Sequence, residues 1–391
     1  MPLSDHVREW VSPQASMVEG VLRLDAQAIR HRPLTLDASL TLRALAITAM
    51  MIGAFWTARE TFARGGIRTV IRAVCWTGLI VSIVAIAMRY TTPTLLYGIW
   101  PSADGKTQVY GPFVNRDHMG TWLVLAIPLA VGYLAAGIVR RGSTVDAMDA
   151  ISLWIGGAVC AMLAALVAST SRSATVGVAV AAIVGAVLAT NRHGARSRKW
   201  LLAAAVAAVL VFVSIPVSSQ LLAKFDQLKD NATGGRRQIW IETLPIIHDF
   251  ALAGTGLGTY RMTMLVYQRT EREILFNTAH DEYLQLAAEG GMLVGIPLLL
   301  AACALIAAIA RRLRDDTSSG FWIRAGAVAS LAGITTQNIW EIGLRMPANG
   351  LLFAVVCAVA VYGPQAARPE DTAADSWNSR GRKRTGGRRE E

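Results

Sequence analysis

Runs of about twenty mostly apolar residues recur along most of this chain, and a run of that length is what a helix needs to cross a hydrocarbon core roughly 30 Å thick. Nine such windows are found, at about 40–58, 70–88, 120–139, 151–169, 173–190, 200–217, 291–310, 321–337 and 348–362. Of the 391 residues 53% are hydrophobic and 17% charged, with a mean hydropathy of +0.40, which argues against a water-soluble globular class. The pattern predicts an all-α, polytopic membrane protein of about nine transmembrane helices with one large periplasmic loop carrying short helices.

A formal charge of +11 raises the question of nucleic acid. The distribution answers it: Arg59, Arg64 and Arg68, then Arg140 and Arg141, then Arg192 to Lys199, then Arg311, Arg312 and Arg314, then the tail with Arg380, Arg382, Lys383 and Arg384 fall in alternate connections. Lys and Arg so placed mark the cytoplasmic side of a multi-span chain, so membrane lipids and not nucleic acid are the expected surroundings. Residues 1–38 are polar, without the apolar core of a signal peptide, and this orientation leaves them outside. Either the first span inserts with its N-terminus translocated, or the chain is a shortened version of a longer architecture. The membrane domain is expected over 39–366 and a basic, disordered cytoplasmic tail over 367–391. Cys75, Cys160, Cys303 and Cys357 lie far apart in apolar windows with no CxxC pair, so they read as small buried hydrophobes, with no zinc site and no disulfide framework.

The connection from 218 to 290 is too long for a plain linker and too rich in Trp240, Ile246, Phe250, Tyr267 and Phe276 for disorder, so chemistry is expected there. It closes on "FNTAHDEYLQLAAEGG", in which Thr278 and Asp281 have capping-box spacing and predict a helix start at Thr278. His280 then lies in the first turn, where the positive end of the helix dipole favours neutral imidazole, a form able to accept a proton, against a reading as an ordinary interfacial residue beside acids that only start the helix. On that helix His280, Tyr283 and Leu284 share one face, and Glu282, Gln285 and Glu289 another. "GGRRQIW" offers Arg236 and Arg237 as forks for a diphosphate, against a reading as a solvated basic turn. "STSRSA" isolates Arg172 in a tight turn between two spans, where it either snorkels outward or has an anionic partner. "YGPFVNRDHMG" sets Asn115, Arg116, Asp117 and His118 just before the third span, and "GTGLGTY" reads as a flexible turn lacking the dinucleotide fingerprint.

In this order, over about 110–350, "GPFVNRDHMG", "TSRS", "GRRQIW", "GTGLGTY" and "HDEYLQLAAEGG" resemble the bacterial O-antigen ligase and O-antigen polymerase superfamily. The resemblance implies a metal-independent glycosyltransferase of the inner membrane, active on the periplasmic side and needing no cofactor. Its donor is an undecaprenyl-diphosphate-linked oligosaccharide, and its acceptor a saccharide or lipid A-core. It makes His280 the base for the acceptor hydroxyl and sets Arg172 and Arg236, with Arg116 and Arg237, on the donor's diphosphate. Asn115, Asp281, Tyr283 and Glu289 take supporting positions. The family often has Asn where this chain has Asp117 and Asp281, and an acid beside His280 opposes the lowering of its pKa. Ligase and polymerase are not separated by these motifs. A transporter or flippase of the same glycan lipids is the alternative, but there is no internal repeat, and the polar clusters lie outside the apolar windows.

Overall fold

The computed structural model describes residues 5–22, 33–101, 110–141, 149–190, 234–270 and 272–363. The chain is mostly helical. Two short helices come first, α1 (Asp5–Val11) and α2 (Ala15–Leu22), then α3 (Ala38–Ala63) and α4 (Ile67–Thr91). The two-residue strands β1 (Leu95–Leu96) and β2 (Trp100–Pro101) pair antiparallel. Helices α5 (Arg116–Arg141), α6 (Ala150–Ser169) and α7 (Arg172–Thr190) precede α8 (Gly234–Asp249) and α9 (Tyr260–Tyr267); α10 (Glu282–Asp315), α11 (Gly320–Gln337) and α12 (Pro347–Val361) complete the order.

Six of these, α3, α4, α5, α6, α7 and α10, are long and apolar enough to cross a membrane. Helices α11 and α12 coincide with the last two sequence windows but are shorter or less apolar, and the window at 200–217 lies outside the described residues. Helix α5 is the axis: Met119 to Ala130 is buried without interruption, as a helix apolar on every side must be. It lies against α4, α6, α7, α11 and α12. The approach to α11 is closest where Gly132 faces Gly326, since a Cβ on Gly132 would meet the Gly326 Cα at 2.9 Å. Small residues at a crossing let helix backbones meet, which is how association is gained in lipid. By contrast α3 and the second half of α10 leave Leu42, Ile52, Trp56, Leu293, Leu299 and Ile306 exposed, an apolar surface suited to acyl chains. Of the four cysteines only Cys75 and Cys357 are buried; Cys160 and Cys303 are exposed on such outer faces, a correction to the sequence reading, and all four are free.

A second, smaller core joins the stretches at one end of this bundle. Ala15 and Val18 of α2, Ile239 and Ile246 of α8, Phe250 just after it, Tyr260 and Met264 of α9, and Phe276 and Ala279 pack together. The polar N-terminal segment therefore belongs with the long connection, and buried Arg8 pairs with Glu19 in closing it.

Candidate functional site

The long connection is held to the bundle by a break in α10. Gly291 adopts φ 53°, ψ −157°, so the helix stops and restarts, and the backbone groups on either side lose their intrahelical partners. Residues 251–256 take them up. Met292 N donates to the Ala251 carbonyl at 2.8 Å and Leu293 N to Leu252 at 2.9 Å, while Thr255 N and Gly256 N donate to the carbonyls of Ala288 and Glu289 at 3.0 and 2.9 Å. Gly254 has φ +68°, and a Cβ there would lie 2.2 Å from the Glu289 carbonyl oxygen, so only glycine fits. "GTGLGTY" is thus a clip packed on α10, where its glycines suggested a flexible turn.

Helix α10 starts four residues later than the capping box predicts. Its N-cap is Asp281, whose Oδ1 accepts from Tyr283 N at 2.9 Å and Leu284 N at 3.0 Å. His280 lies before the helix, with a left-handed φ of 49°, and shares no helical face with Tyr283. That strained geometry is held on both sides. Trp240 Nε1 donates to the Ala279 carbonyl at 3.0 Å, Ala279 N donates to Gln285 Oε1 at 2.9 Å, and Glu282 N donates to the Asn338 carbonyl at 2.9 Å. The His280 pKa is lowered, as the sequence suggested, but from other causes: burial first, then the positive charge of Arg236, with Asp117 opposing. Its Nδ1 is buried with no hydrogen-bond partner among the described residues.

Around it the chain gathers charges from four stretches. Arg236 on α8 donates to Glu341 Oε1 at 3.0 Å. Glu341 is buried; its carboxyl is pushed up to about 8 by burial and by Asp117, against the pull of Arg236. Asn115 caps α5, its Oδ1 accepting from Asp117 N at 2.8 Å. Asp117 also accepts from the Ser171 hydroxyl, and Arg116 donates to Thr170 Oγ1 at 3.0 Å, so the tight turn between α6 and α7 is tied to the start of α5. Arg172 opens α7 from that turn and is exposed. Arg237 is exposed too, and neighbours on a helix point about 100° apart, so the two arginines of "GRR" do not form one fork. Tyr283 is exposed, its hydroxyl donating to the Thr335 carbonyl at 2.8 Å.

Glu289 is far from idle. Its side chain is fully buried, with Oε2 2.6 Å from Arg345 and Oε1 accepting from Tyr260 N at 3.1 Å. Arg345 also reaches Glu282 at 3.0 Å, and the two carboxylates hold its guanidinium pKa up against burial. Glu341 and Arg345 escaped the sequence reading. Both come from the short connection between α11 and α12, in "QNIWEIGLRMPANG", where polar residues between two apolar runs were the available signal. Asn349 of the same stretch donates to the carbonyls of His118 and Gly343, each at 2.9 Å, and so fixes the α12 start against α5.

A neutral imidazole among guanidinium groups can take a proton while positive charge holds an anion. Among the described residues no three His, Cys, Asp or Glu side chains are gathered as a metal-ligand set.

Comparison with known proteins fits this arrangement. No curated protein matches the chain. Residues 157–311 match Wzy_C, the O-antigen ligase family, a stretch that runs from within α6 to near the end of α10 and contains Arg172, Arg236 and His280. Six membrane-length helices and that match make this a multi-pass membrane protein that is similar, over the matched stretch, to the O-antigen ligase family.

Proposed function

We propose that the chain transfers or polymerises a glycan from an undecaprenyl-diphosphate-linked donor onto a saccharide acceptor, such as lipid A-core, at the periplasmic face of the bacterial inner membrane. The observation that carries the reading is the joining of His280, Arg236 and the Arg116–Asp117 pair at one end of α5, from separate parts of the chain. In the proposed reaction the acceptor hydroxyl oxygen attacks the anomeric carbon and gives its proton to the His280 imidazole. The bond from that carbon to the diphosphate oxygen breaks, and the diphosphate leaves with the electron pair. Arg236, Arg116 and Arg172 offset the charge that develops on it; Arg237 is the least supported of the set, because it lies off the Arg236 direction. Asp281 and Trp240 act through His280 by fixing the backbone on either side of it.

The test is His280→Ala. Removal of a general base costs about 10²–10⁴-fold in rate. Transfer from the lipid-linked donor should fall by that factor, with the protein still recovered from the membrane fraction. Wild-type transfer by this variant would sink the proposal. Electrophoresis of surface glycans from a deletion strain separates the two activities: full-length chains left on the carrier indicate a ligase, and single repeat units on the acceptor indicate a polymerase.

A further inference from the structure

The end of α5 remote from His280 carries a cavity of about 460 Å³ that the proposed reaction does not use. Four arginines line it, Arg68 and Arg72 from α4 and Arg140 and Arg141 from α5. Its one acidic lining residue, Asp149, is already engaged: it pairs with Arg141 and, as the N-cap of α6, accepts from Ser152 N at 2.9 Å. Arg72 is fixed in place, its Nε donating to the Tyr133 hydroxyl at 3.0 Å and its guanidinium lying 6.0 Å over the Tyr133 ring. Arg68 and Arg140 are exposed and have no carboxylate partner among the described residues. Ser319, before α11, completes the polar wall; the hydroxyl of neighbouring Ser318 is already engaged, donating to Asp316 Oδ1 at 2.6 Å, and Asp316 is itself paired with Arg324.

From this placement we infer that the cavity binds a phosphate-bearing anion, with the headgroup of an acidic phospholipid as the source the membrane supplies. Arginines retained only to set orientation have no need to converge on one hollow. Here they come from two helices, meet the Ser319 hydroxyl, and outnumber the carboxylates among the described lining residues, which is the chemistry of a phosphate site. The cavity lies among the termini of α4, α5, α6, α11 and α12, where membrane-length helices would meet lipid headgroups, and basic pockets between spans on the cytoplasmic side bind such groups.

The full chain, purified from membranes into nanodiscs of mixed phosphatidylglycerol and phosphatidylcholine, is released and examined by native mass spectrometry for retained lipid. The wild type should keep phosphatidylglycerol preferentially. The Arg68→Gln, Arg140→Gln double variant should keep on the order of tenfold less, while Arg261→Gln, a loss of charge at an exposed position of α9, should not change retention. Glycerol phosphate added in the millimolar range distinguishes a soluble source. Displacement of the lipid by it keeps the phosphate site and reassigns its ligand. Equal retention of both lipids by the wild type, or no loss in the double variant, overturns the inference. Neither result bears on transfer by His280, so the two proposals fail separately.

Discussion

The two ends of α5 differ in how far carboxylates hold their arginines. At the His280 end, Arg236 is tied to Glu341, and Arg345 to both Glu282 and Glu289, with three carboxylates buried or nearly so. At the other end, about 39 Å away along the helix, four arginines line a cavity with one carboxylate among its described residues, and two of them are exposed. The difference separates two uses of the same side chain. Paired with two carboxylates and mostly buried, the Arg345 guanidinium fixes geometry, because each partner would be stranded without it, while the more open Arg236 keeps a side for an anion. Left in excess at a helix end, it supplies charge for something that arrives from outside.

The sharpest way to break this comparison is to remove Arg345. Arg345→Leu leaves Glu282 and fully buried Glu289 without a counter-charge, and breaking a buried pair from one side costs about 3–5 kcal/mol. Arg140→Leu at the opposite end should change stability by less than about 0.5 kcal/mol, as exposed substitutions do. Thermal unfolding of both variants in the same detergent measures the contrast. Similar losses at the two ends would remove it.

A somewhat smaller effect is expected from the clip. Gly254→Ala places a Cβ against the Glu289 carbonyl in a backbone that disfavours it, and the combined strain and overpacking come to about 2–4 kcal/mol. The damage should be local. The 251–256 segment would come away from Gly291 and release the carbonyls and N–H groups it satisfies, so hydrogen exchange should accelerate at Met292 and Leu293 before it does in α5. Uniform acceleration across the molecule would show that the clip and bundle unfold together.

The spans were legible because apolar length is a local property. Every window within the described residues is a helix, including the central α5, whose continuous apolar sequence matches its continuous burial. The start of α10 was misread because Thr278-x-x-Asp281 satisfies the capping pattern, while what keeps Thr278 to His280 out of the helix is tertiary: Trp240 on one side, the Asn338 carbonyl on the other. Glycines in "GTGLGTY" signalled freedom, and proximity to a second Gly pair at 290–291 converted it into a tight fit. Glu289 had no visible task because its partner, Arg345, lies 56 residues away in a connection that looked too short to matter. Charge pairs between distant stretches leave no spacing to read.

The finest test concerns how the paired charges tune His280. Its pKa is below the ordinary 6.5, so the imidazole is neutral at pH 7, and transfer that depends on a neutral base should be lost only as pH falls through that lowered value. After burial, the largest cause is Arg236, whose charge disfavours imidazolium, while Asp117 acts in the other direction. Arg236→Gln should therefore move the acid limb of the pH–rate profile upward, toward 6.5, and Asp117→Asn should move it downward. Glu341 links the two. Asp117 helps raise its carboxyl, so Asp117→Asn should also make Glu341 ionise at lower pH and strengthen its hold on Arg236 just where His280 titrates. Opposite displacements of the limb, measured as kcat/KM against pH with a lipid-linked donor, would establish that these charges act on one base. Displacements in the same direction would mean that the limb belongs to a group other than His280, and that the paired end of α5 serves folding alone.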